Sequence, residues 1–130
     1  MKKNLIKAGA MAGMVGMLIG GIAYAGADMK YYSTVVGRFN GSGYCNYQTK
    51  AVSGKDGYIS SSKVGGKYKV DVRMENSSAS GEWLRNVTDG TQKPVKGHSK
   101  LTKGSQVRLK FSNDITTPVT VEVSGYWKSN

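Results

Sequence analysis

Three stretches of this chain alternate apolar and polar residues with a period of two. Lys67–Met74 places Tyr68, Val70, Val72 and Met74 on one side and Lys67, Lys69, Asp71 and Arg73 on the other. Gln106–Phe111 sets Val107, Leu109 and Phe111 against Gln106, Arg108 and Lys110, and Val119–Trp127 puts Val119, Val121, Val123 and Trp127 on one face. Successive side chains of a strand point to opposite faces, so this period predicts strands with one face buried and one in water. Less regular runs predict further strands at Tyr31–Phe39, Tyr44–Ala51, Gly57–Ser61 and Glu82–Thr88.

Between these runs stand clusters rich in Gly, Asn, Asp and Ser, which supply the backbone angles of turns: NGSG, SGKDG, VGG, NSSASG, TDGT, TKGS and SNDITTP. The glycines of VGGKYK read as a hairpin turn, since the spacing of a phosphate-binding loop and its following helix are both missing. Pro94 and Pro118 fall outside the interiors of the three regular strands. The pattern predicts an all-β fold, a small antiparallel β-sandwich or barrel of roughly seven or eight strands.

The first residues break this pattern. Lys2, Lys3 and Lys7 precede an uncharged run from Ala8 to Ala27 that closes in Ala23-Tyr24-Ala25 and Ala25-Gly26-Ala27. A basic start, an apolar middle and an A-x-A ending are the grammar of a secretory signal peptide. The expectation is a leader over residues 1–25, cleaved after Ala25 or after Ala27, with residues 26–130 forming one β-sandwich domain. The protein would then be secreted, extracellular or associated with a cell surface. The competing reading is an uncleaved anchor, because about 20 uncharged residues just span a bilayer. A lipid anchor requires a cysteine at the cleavage point, and the one cysteine, Cys45, lies well beyond it.

Charge and cysteine content narrow the function classes. Of the 19 basic residues three fall within residues 1–25, while all 8 acids come later, so the remainder carries 16 basic against 8 acidic residues. Such a surplus draws a protein toward polyanions. A single cysteine makes no internal bridge, which fits a bacterial exported protein better than a disulfide-dense animal module. Cys45 is therefore a candidate for either a buried thiol or an intermolecular disulfide.

Catalytic constellations are weakly represented. His98 is the one histidine, and the residues around Cys45 match no cysteine-protease signature. One Cys and one His fall short of a zinc ligand set, and the Asp and Glu residues are dispersed without a calcium-loop ladder. The chain is expected to be no enzyme and to need no cofactor.

The positive signal is a basic strand face. Lys67, Lys69 and Arg73, with Arg108 and Lys110, would form an anion-binding surface if their strands share a sheet, with Tyr126 and Trp127 as aromatic contacts. The function expected first is binding of an anionic cell-wall polymer or membrane surface; nucleic acid is not the expected partner. A bacteriocin-like or pore-forming toxin is one alternative. The other is a self-assembling structural subunit, a homo-oligomer in which the arm ADMKYYSTVV adds a strand to a neighbour.

Overall fold

The structure, a computed structural model, describes residues 24–130. Apart from its last two residues, the expected leader over residues 1–25 lies outside the described residues. Ten strand segments are described: β1 (Tyr24–Ala25), β2 (Lys30–Val36), β3 (Ser42–Tyr44), β4 (Gln48–Thr49), β5 (Gly57–Val64), β6 (Val70–Glu75), β7 (Leu84–Val87), β8 (Gln92–Val95), β9 (Gln106–Asn113) and β10 (Val121–Lys128). They build two sheets packed together as a sandwich. The six-stranded sheet runs β1-β4-β9-β6-β7, with β3 also on β9, and the four-stranded sheet runs β2-β10-β5-β8. Pairing is antiparallel except between the short β1 and β4.

The alternating residues of the sequence meet between the sheets. Val70, Val72 and Met74 of β6 and Val107, Leu109 and Phe111 of β9 are fully buried, facing Val36, Ile59, Val121, Val123 and Trp127 of the other sheet. Tyr32 and Phe111 join the layers, their rings 5.1 Å apart and tilted by 34°. Burying side chains of this size contributes about 1.5–3 kcal/mol each.

Four local expectations change. The strand foreseen at Lys67–Met74 begins only at Val70, because Gly65–Lys67 forms a short 3-10 turn in which Gly66 and Lys67 have φ of 64° and 59°. That turn carries the chain from β5 in one sheet to β6 in the other and is not a hairpin. The run Tyr44–Ala51 splits into β3 and β4, and β10 starts at Val121, leaving Val119 43% exposed. Strand β8 has no sequence counterpart, because only Val95 of its four residues faces inward. It is an edge strand, where Pro94 is tolerated. The arm Ala27–Val36 supplies β2, which pairs along its whole length with β10.

Buried polar side chains in or next to the six-stranded sheet hold main-chain groups at the strand ends and loops of the other sheet. Gln48 donates through Nε2 to the Trp127 carbonyl at 2.9 Å and accepts the Ser129 N–H at 2.8 Å. Lys50 is fully buried, and its amine donates to the main-chain oxygens of Ser129 at 2.6 Å, Asn130 at 3.1 Å and Lys55. At the opposite end Asn113 donates to the carbonyls of Val36, Gly37 and Val119. Such groups are tolerated in a core because their N–H donors, and the Gln48 carbonyl oxygen, find partners there.

Lys50→Met removes a donor shared by three main-chain oxygens, of which that of Asn130 keeps the Val52 N–H, and the expected loss is about 3 kcal/mol, read as a lower urea midpoint at unchanged slope. Burial lowers the Lys50 pKa from 10.5 to about 8, so between these values the unfolded chain holds a proton that the folded chain has released. Wild-type stability therefore gains on the variant as pH rises through that window. A gap that stays constant or narrows from pH 8 to 10.5 contradicts the buried cradle.

Candidate functional site

Strands β6 and β9 lie side by side, with Arg73 opposite Lys110 and Glu75 opposite Arg108. Because the apolar residues of both strands point into the core, these four must point outward. Arg73, Arg108 and Lys110 thus stand together on the outer face of the six-stranded sheet. Lys67 and Lys69 do not join them: Lys67 lies in the 3-10 turn and Lys69 before β6 begins, both exposed at one end of the sandwich. Tyr126 and Trp127 belong to β10 in the other sheet. Trp127 is 1% exposed within the core, with no surface to offer a ligand, and Tyr126 packs edge-on against Tyr31 at 5.5 Å.

Other aromatics stand beside the basic side chains. The Arg73 guanidinium lies 4.5 Å from the centre of the Trp83 ring, and Arg85 approaches the same ring at 5.7 Å. Arg108 lies 3.9 Å from Tyr44 and 5.1 Å from Tyr47, with the Lys110 amine 5.9 Å from Tyr44. Between the two arginines sits Glu75, whose Oε1 meets Arg73 Nη2 at 3.3 Å and whose Oε2 meets Arg108 Nη2 at 3.5 Å. Cation and ring attract through the ring quadrupole, and the shared carboxylate fixes both guanidiniums in place.

A second acid organises the rim. Strand β7 bulges opposite Asp71, with Asn86 in the left-handed region at φ 61°. Asp71 Oδ1 accepts the Asn86 N–H at 3.1 Å, and Oδ2 accepts from Arg85 Nη1 at 2.6 Å. The face thus holds Arg73, Arg85, Arg108 and Lys110 against Asp71 and Glu75, a surplus of positive charge. Among the described residues no acceptor meets the Nε–H groups of Arg73 and Arg108.

Cys45 lies just beneath this face, where the ladder between β3 and β4 is interrupted. Its Sγ accepts the Leu109 N–H at 3.2 Å, filling the place of a missing carbonyl, and its S–H reaches the Asn46 carbonyl at 3.4 Å. Strict alternation would put Tyr47 on the inward face beside Cys45; the break turns Tyr47 outward, 40% exposed, beside Arg108. Burial pushes the thiol from 9.0 up to about 12, which keeps it protonated and a poor nucleophile. His98 is engaged elsewhere, its Nδ1 accepting the Lys100 N–H at 3.0 Å. Among the described residues no group of three His, Cys, Asp or Glu side chains is gathered as metal ligands would be.

The site residues that sequence patterning missed are Tyr44, Tyr47, Trp83 and Arg85. Their signal was present only as aromatic and basic residues flanking short strands, and the pairing that brings them together is long-range, with Tyr44 of β3 opposite Lys110 of β9. Comparison with protein-family models, with curated proteins and with solved structures gave no match.

The buried thiol sets a direct expectation. Folded protein at pH 8 should react with a disulfide reagent far more slowly than protein unfolded in urea, and should run as a monomer on a non-reducing gel. Rapid stoichiometric labelling of the folded state, or a reducible dimer, contradicts the placement of Cys45.

Proposed function

We propose that this protein acts outside the cell that makes it, as a non-catalytic binder of an acidic envelope polymer on the outer face of the six-stranded sheet. The observation that carries this reading is the pair of stacked guanidiniums, Arg73 on Trp83 and Arg108 on Tyr44, set either side of Glu75. A stacked and tethered arginine keeps its charge and its N–H donors while losing little further freedom on binding. Neighbouring rings offer flat apolar surface to a sugar or polyol backbone, and the guanidinium edges and the Lys110 amine take its phosphate or carboxylate groups.

Two further features support the reading. The leader-like opening of the sequence favours export, and the basic surplus steers the protein toward acidic surfaces. The non-catalytic part rests on Cys45, whose thiol is buried and protonated, and on His98, which serves a turn.

Titration with poly(glycerol phosphate) and with a polyuronate tests the proposal. The pair Arg108→Ala and Lys110→Ala should weaken binding to the preferred polymer by about 2 kcal/mol, a factor of roughly 30, and flatten its salt dependence. Lys93→Ala, on β8 of the other sheet, should leave affinity unchanged. Equal losses in both variants, or no wild-type binding to either polymer at low salt, overturn the reading.

A further inference from the structure

One end of the sandwich, where β2, β5 and β9 finish and β6 and β10 begin, carries the loops 37–41 and 114–119. They are sewn into one unit. The Phe39 N–H donates to the Thr117 carbonyl at 2.8 Å and the Asn40 N–H to the Asp114 carbonyl at 3.2 Å. Beneath them Asn113 donates to main-chain carbonyls on both sides, Gly37 at 2.8 Å and Val119 at 3.4 Å. Gly41 lets the first loop close, since a Cβ there would lie 2.3 Å from the Gly37 carbonyl carbon.

This unit displays apolar side chains to solvent. Ile115 is 73% exposed, Phe39 58% and Val119 43%, with Val35 of the adjoining strand at 51%. Phe39 is also in an unfavourable backbone state. Phe39 and Asn40 have φ of 53° and 63°, two successive left-handed residues as in a type I′ turn. The first of those positions favours Asn, Asp or Gly, and a phenylalanine there is strained. Its ring gains little burial in return, so folding stability does not account for it; retained strain of this kind marks functional positions.

Exposed cations lie at the same end as the apolar tip. Arg38 precedes Phe39, and Lys67 and Lys69, which the sheet face leaves out, are exposed at the same end. The acids of this end are Asp89, whose Oδ1 is taken by the Val64 N–H at 2.6 Å, the half-buried Asp114, and Glu122 on β10.

We propose that this loop pair is a membrane-docking tip: Phe39, Ile115 and Val119 enter the interfacial layer of an acidic bilayer, and Arg38, Lys67 and Lys69 meet its headgroups. Aromatic and aliphatic groups gain by leaving water there, while basic neighbours are drawn to the negative leaflet. The tip is a surface separate from the polymer-binding face. Docking there leaves Arg73, Arg108 and Trp83 on the side of the sandwich, open to a polymer.

The test compares wild type with the double variant F39N/I115S at one chain length, by sedimentation with vesicles of phosphatidylglycerol and phosphatidylcholine and of phosphatidylcholine alone. The variant should bind acidic vesicles at least about tenfold more weakly, keep its affinity for the acidic polymer, and melt no lower than wild type, because asparagine suits the turn. In a Trp83→Phe, Trp127→Phe background, Phe39→Trp should be quenched by brominated lipid. Equal vesicle binding by wild type and F39N/I115S, no wild-type binding to acidic vesicles, or an unquenched Phe39→Trp overturns the proposal. Loss of polymer binding by a folded F39N/I115S overturns the separation of the two surfaces.

Discussion

The pairing of β6 with β9 is the constraint on which the rest depends. Six register pairs, from Val70 opposite Asn113 to Glu75 opposite Arg108, decide at once what is buried and what is shown. With this register Val70, Val72 and Met74 and Val107, Leu109 and Phe111 fill the core, and Arg73, Glu75, Arg108 and Lys110 line the outer face. A slip of one residue would drive the charged set into the core, at a cost no surface interaction offsets. Core and candidate site are therefore two sides of one arrangement, and selection on either face bears on the other.

Around that pair the molecule uses polar groups where regular pairing runs out. The thiol of Cys45 stands in for a carbonyl between β3 and β4, Asp71 takes the N–H freed by the β7 bulge, and Gln48, Lys50 and Asn113 tie loops and strand ends across the two sheets. These contacts fix the ends of the sandwich without disulfides. They also explain how an unfavourable feature persists. The left-handed Phe39 of the tip is held by surroundings that over-determine it.

The sequence made the sheets legible through side-chain period, and where the period was strong the strands and their inward faces came out as expected. It was silent on β8, whose single inward residue carries no period, and on the sheet to which each strand belongs. The alternation of Lys67–Met74 ran past the true start of β6 because the polar residues of a turn mimic the wet face of a strand. The basic residues of β6 and β9 could be foreseen as neighbours only on the condition of a shared sheet. Their aromatic partners could not, since Tyr44, Tyr47 and Trp83 reach them through long-range packing and a break in alternation at Asn46. Trp127 was a different case: the alternation already set it beside Val121 and Val123 on the face that is buried, so its use as a surface contact ran against the strand's own period.

The account rests on the outer face of the six-stranded sheet being where an acidic polymer is held. Backbone and indole amide shifts recorded during titration with such a polymer test it most directly. Perturbations should concentrate on Tyr44–Tyr47, Arg73–Glu75, Trp83–Arg85 and Arg108–Lys110, with the Trp83 indole moving and the buried Trp127 indole still. Shifts centred on the outer faces of β2, β10 and β5, or spread evenly over all exposed lysines, would contradict it.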